Sequence, residues 1–167
     1  MSFDLQPLAD WLTKTSVSAF VNNHAWVWPA CESLHFLGLA LLIGNVGLLD
    51  LRLLGFEKRL SFMAVNRFIL WALLGFAINL VTGILFFVGN PAQYVHNVAF
   101  GWKVLFMLLA GANVLTFYAT GTYRAVALLG PGDDAPPLAK FIAGTSLALW
   151  IGVMYMGRML PYIGNSF

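Results

Sequence analysis

Four long apolar stretches, at about 29–54, 62–88, 100–119 and 140–160, constrain this chain more than any motif in it. A helix of about 20 apolar residues crosses the hydrocarbon of a bilayer, where backbone N–H and C=O groups must be satisfied within the segment itself. The sequence therefore predicts an all-α integral membrane protein, a four-transmembrane-helix bundle in contact with lipid. Sixty per cent of its residues are hydrophobic and 10% charged, with a mean hydropathy of +0.80, outside the range of soluble domains. A net charge of +2 is too small to point to nucleic acid, and the basic residues sit at helix ends, where a membrane explains them.

Residues 1–25 form a segment of their own. Leu5, Leu8, Leu12 and Ala19 recur near helical spacing with Asp10, Lys14 and Ser18 elsewhere, which predicts a short interfacial amphipathic helix ahead of a transmembrane domain at 26–167. The segment lacks the basic start and continuous apolar core of a signal peptide, so the N-terminus is expected to be retained. Trp26 and Trp28 mark an interfacial belt, and Pro29 suits the first turn of a helix. Gly89, Asn90 and Pro91 end span two, and the run GPGDDAPP at 130–137 separates spans three and four, with Asp133 or Asp134 as candidate caps. Cys31 is the single cysteine, so neither an intramolecular disulfide nor a multi-thiolate zinc site can form.

Small residues at intervals of four supply helix contacts, since lipid offers no hydrophobic drive for helices to associate. Gly75, Asn79 and Gly83 recur in this way in span two, as do Gly144, Ala148 and Gly152 in span four, and span one carries Gly38, Gly44 and Gly47. Asn45, Asn79, Thr82, Asn113 and Thr145 are deeper polar residues, read as interhelical hydrogen-bonding groups rather than a solute path.

Chemistry concentrates at one end. Glu32 and His35 are three apart and share a helix face. At about 1.5 Å per residue His35 lies roughly 9 Å along the helix from Pro29. Lys103 opens span three and Arg158 closes span four at the same level. Ionisable groups within a membrane are costly, so they either pair or mark a functional site. A structural alternative makes Glu32 an ion-pair partner of Lys103 or Arg158, with Lys103 snorkelling to the headgroups. His35 with His96 is a candidate haem or metal pair. Met154 offers a further soft ligand, and a copper(I) site could draw on Cys31, His35 and the methionines of span four. A lone Glu-x-x-His does not build a di-iron bundle, which needs the motif on two helices. No P-loop, dinucleotide glycine fingerprint or nucleophile elbow occurs in a fitting context, which argues against a kinase or hydrolase.

The segments ESLHFLGLALLIGNVGLLDLRLLG, TGILFFVGNPAQYVHNVAFGWK, LLAGANVLTFY and SLALWIGVMYMGR resemble a group of small bacterial four-helix membrane proteins catalogued only as a domain of unknown function. The resemblance implies the four-span fold and draws attention to His35, Asp50, Arg52, Lys103, Asn113 and Arg158; it implies no activity. A looser likeness, to the membrane domains of copper-resistance D-type proteins, rests on His35 and Lys103. Where such relatives often end the third-span motif in Phe-His, this chain has Phe117 and Tyr118.

These features suggest an inner-membrane subunit that holds haem b, copper or a quinone near the periplasmic face for a partner protein, through Glu32, His35, His96, Lys103 and Arg158. A non-catalytic anchor or assembly subunit, docking through the Trp11 segment, is the alternative, and a small-solute permease a third. Orientation follows from basic residues: Arg52, Lys58, Arg59, Arg67, Arg124 and Lys140 share one side, Lys14, Lys103 and Arg158 the other. That count puts the linkers after spans one and three in the cytoplasm, and both termini in the periplasm of a bacterial cell. A reporter active only in the periplasm is expected to be active when fused after Phe167; an inactive fusion, with a working fusion in the 130–137 linker, would reverse the topology.

Overall fold

A computed structural model of the chain describes residues 5–163. Residues 1–4 and 164–167 lie outside the described residues, and with them the start of the expected N-terminal helix and the C-terminus that the charge count assigns to the periplasm. The described helices are α1 (Gln6–Thr13), α2 (Ser16–Asn23), α3 (Val27–Leu54), α4 (Phe62–Asn66), α5 (Ile69–Gly89), α6 (Ala92–Val95), α7 (Val98–Ala119), α8 (Thr122–Ala127) and α9 (Pro137–Met159). Four spans are long and apolar enough to cross a membrane: α3, α4 with α5, α7, and α9. Their outward faces carry large apolar side chains such as Phe36, Leu70, Leu115 and Phe141, each about 70% exposed in the isolated chain, as contact with lipid requires.

Two helices depart from the pattern the sequence suggests. The N-terminal segment is broken at Thr15, whose backbone turns extended and whose hydroxyl accepts from the Ser18 N–H, capping α2. The second span is broken at Arg67 and Phe68, where the N–H groups of Phe68 and Trp71 each bond three residues back rather than four. Neither Asp133 nor Asp134 caps span four. Pro136 takes the cap position, Asp133 accepts from the Gly130 N–H, and Asp134 is held by lysines.

The spans pack in the order α5, α3, α9, α7, while α5 and α7 form no comparable packed pair. The α3/α5 contact is the tightest. A Cβ added at Gly75 would fall 2.5 Å from the Gly38 carbonyl oxygen and 2.7 Å from the Leu42 nitrogen, so the two backbones touch there. In α9, Gly152 receives the Phe106 ring of α7, where an added Cβ would meet Cδ2 at 2.8 Å. The remaining stripe glycines act less closely: Gly44 faces nothing within 4 Å, and Gly144 meets Leu54 at 3.9 Å.

The end of the bundle away from His35 is organised by Arg52, which is 0% exposed. Its Nε donates to the Leu60 carbonyl, and its Nη2 to the carbonyls of Gly130 at 3.0 Å and Asp133 at 3.3 Å. One guanidinium thus joins the linker after span one to the linker before span four. Gly55, in the left-handed region at φ 97°, ends α3 just beyond it. Asp134 completes this end, pairing with Lys140 at 2.7 Å and Lys58 at 3.0 Å; those hydrogen bonds hold its carboxyl down to about 2.

Gly75→Ala is expected to lower stability by about 1–3 kcal/mol, because the new methyl has only backbone to displace. Gly111→Ala, whose added Cβ meets nothing within 4 Å, is the matched control and should melt like the parent in detergent. Indistinguishable melting of the two variants would mean that the α3/α5 contact is looser than described.

Candidate functional site

The site at the His35 end is built by four helices, α3, α5, α7 and α9. Asn97 starts α7: its side chain accepts from the N–H groups of Ala99 and Phe100 and donates to the Leu160 carbonyl at 2.9 Å, fastening the start of α7 to the end of α9. Lys103 lies about two turns into α7, half-buried, with its stem and ammonium along Gly157 of α9. A Cβ added at Gly157 would stand 3.7 Å from Nζ. The chain thus lies against a neighbouring helix rather than simply extending towards headgroups.

His35 is half-buried on the α5 side of α3. Its Nδ1 lies 2.7 Å from Thr82 Oγ1, and the Phe86 ring meets its edge with centroids 5.6 Å apart. α3 and α7 are not a packed pair, so His35 is seated against α5 and Lys103 against α9. Above them, Phe87 of α5 stacks on Phe100 of α7 with centroids 5.7 Å apart, and Tyr94 meets Phe100 edge-on at 5.2 Å. These rings connect the end of α5 to the start of α7.

Glu32 and Arg158 stand at the rim, both exposed. Among the described residues neither forms an ion pair, and Glu32 pairs with neither Lys103 nor Arg158; the ion pairs belong to Asp134 at the other end. Glu32 instead acts on Tyr94, whose hydroxyl is pushed above its ordinary value by burial first and by the Glu32 charge second.

The candidate metal ligands do not assemble. His96 is exposed in the α6–α7 turn with its Nε2 3.3 Å from Gln6 Oε1 of α1. Met154 lines a small apolar cavity of about 20 Å³ with Ile43, Val46, Gly47 and Trp150. Those α3 residues lie 8 to 12 positions past His35, roughly 12–18 Å along the helix, too far for Met154 to share an ion with it. Cys31 is buried in an apolar cluster with Val21 and Val27. Among the described residues no group of three or more His, Cys, Asp or Glu side chains could hold a metal ion.

Thr82 bridges helices, as expected of the deeper polar residues, and what the sequence did not show is that its partner is His35. The available signal was its place in span two, one position before Gly83, where an added Cβ would stand 4.0 Å from His35 Cε1. Asn113 does bridge helices as expected, donating to the Ile142 carbonyl at 2.9 Å, whereas Asn45 and Asn79 donate within their own helices. Asp50, buried on α3 against Ser146, keeps Oδ2 without a hydrogen-bond partner among the described residues.

Compared with known proteins, the chain matches no family profile, no curated protein and no solved structure.

Removing the Glu32 charge should make the Tyr94 phenolate less unfavourable. Glu32→Gln is therefore expected to lower the Tyr94 titration midpoint, leaving it above the ordinary tyrosine value because burial persists. Ultraviolet titration with Tyr94→Phe as the blank reads this directly. A midpoint unchanged by Glu32→Gln would separate the two residues.

Proposed function

We propose that this is a membrane subunit that holds a lipid-borne quinone-type redox carrier at the His35–Lys103 site, for use by a protein partner. One observation carries the proposal: His35, seated against Thr82 of α5, and Lys103, laid along Gly157 of α9, are ionisable side chains within spans, and neither is engaged in an ion pair among the described residues. Ionisable side chains held within a span and left unpaired are a functional arrangement by default. Lys103 can donate to a ring oxygen and offset negative charge developing on it, and His35 can make a second hydrogen bond.

Haem b and copper fit the same residues less well. Haem would have His35 as a single well-placed axial ligand, with His96 occupied by Gln6 at the surface. Copper(I) would need Met154 or another soft ligand beside His35, and a cationic lysine next to a metal ion is unfavourable. A carrier dissolved in the bilayer can also approach sideways, where α5 and α7 leave a seam without close packing. Glu32 and Arg158 at the rim are suited to meeting a partner rather than the ring. On the charge count, the site would face the periplasm of a bacterial inner membrane. The likeness to copper-resistance D-type domains singles out the same two residues and is kept as a resemblance.

In nanodiscs, a short-chain ubiquinone is expected to quench tryptophan fluorescence saturably. His35→Gln and Lys103→Met should each weaken binding by about 10- to 100-fold, the loss typical of a hydrogen bond to a charged or well-placed partner. Absence of saturable binding by the folded parent protein would end the proposal. Sharp bands in the dithionite-reduced spectrum of the purified protein, lost in His35→Ala, would replace it with haem.

A further inference from the structure

Thr82 has one hydroxyl proton, and its surroundings determine where that proton goes. Thr82 Oγ1 lies 2.7 Å from the Ile78 carbonyl oxygen and 3.3 Å from that of Asn79, both on its own helix. Two oxygens 2.7 Å apart with no proton between them would repel, so the hydroxyl donates to the Ile78 carbonyl, the usual bond of a threonine within a helix. The same oxygen lies 2.7 Å from His35 Nδ1. With its only proton committed, Thr82 can act towards that nitrogen as an acceptor alone. Nδ1 must therefore supply the proton, and in the uncharged ring Nε2 is left with a lone pair. Among the described residues no donor is hydrogen-bonded to Nε2.

We infer that Thr82 is a positioning residue that fixes His35 as its Nδ1–H tautomer, and that the site therefore binds the reduced, hydroxyl-bearing form of its carrier in preference to the oxidised form. The ligand preference rests on the quinone reading; the tautomer does not. On the quinone reading, a quinol hydroxyl can donate to the Nε2 lone pair, with Lys103 as a further donor to the ring. A quinone carbonyl has no proton to offer, and its lone pairs would face that of Nε2, leaving Lys103 as its only donor. The pairing costs the oxidised form one hydrogen bond and leaves an acceptor opposed to an acceptor. Gly83, beside the ring at Cε1, leaves that edge of His35 uncrowded.

The test has two parts, both on the full-length protein in nanodiscs at mildly alkaline pH, where the ring is uncharged. Nitrogen NMR of 15N-histidine-labelled protein, with His35→Gln used to assign the signal, should show His35 protonated at Nδ1. Thr82→Ser should preserve that state, and Thr82→Val, of nearly the same shape, should shift it to Nε2–H or a mixture. A parent protein with Nε2–H, or a Thr82→Val protein whose tautomer is unchanged, overturns the inference. In parallel, anaerobic titration with the short-chain quinol and its quinone should give about tenfold tighter binding of the quinol. That ratio should shrink in Thr82→Val and recover in Thr82→Ser. Equal affinities overturn the ligand preference. Failure of both forms to bind while the Nδ1–H tautomer is present overturns the quinone reading itself, a result distinct from loss of the tautomer.

Discussion

The contact between Gly38 and Gly75 sets the distance on which the His35 site depends. In lipid the exposed faces of two helices gain nothing by leaving the solvent, so close association needs surfaces that allow the backbones themselves to meet. Here the carbonyl of one glycine occupies the space where the other would carry a Cβ. His35 lies one turn from Gly38 and Thr82 two turns from Gly75, on the same side of the crossing. Holding the axes together at the glycines brings the imidazole within 2.7 Å of the hydroxyl. A wider crossing would leave His35 without its acceptor and free to rotate.

Arg52 performs a different task at the other end. A buried guanidinium is expensive unless its donors are met, and here three backbone carbonyls from two linkers meet two of its nitrogens. Carbonyls supply the bonding without adding a buried carboxylate, and the same two linkers are joined again by the Gly132 N–H donating to the Lys58 carbonyl and by the Lys58–Asp134 pair. With Lys58, Lys140 and Asp134 outside it, this end fixes the linkers while the His35 end keeps its charges unpaired. The ion pairs among the described residues therefore lie at the Arg52 end, although Arg52 Nη1 is itself buried without a partner there.

The openness between α5 and α7 follows from the same packing. Each outer helix is committed to a central partner, α5 to α3 and α7 to α9, and the central pair closes the row. A ring cluster of Phe87, Tyr94 and Phe100 joins the end of α5 to the start of α7. Aromatic contacts between a helix end and a short turn keep the loop in place without drawing the helices together along their length.

Hydropathy alone determined the four spans and their rough limits, because the cost of leaving backbone polar groups unsatisfied in lipid depends on composition and length and not on which helix packs against which. It also fixed that Glu32, His35, Lys103 and Arg158 share one level, since rise per residue converts position into depth. It could not give direction around each helix axis, and that is what separates these four residues: Lys103 turns inward along Gly157, whereas Glu32 and Arg158 face outward. Nor did it show the breaks at Thr15 and Arg67, because Thr13, Lys14 and Ser16 around the first and Asn66 beside the second are also tolerated within a helix. The roles of Thr82 and Arg52 arise from partners 47 and 78 positions away in the chain. Only tertiary structure decides such pairs, because a hydrogen bond reaches about 3 Å and depends on where two helices cross, a quantity carried by packing and not by the local sequence.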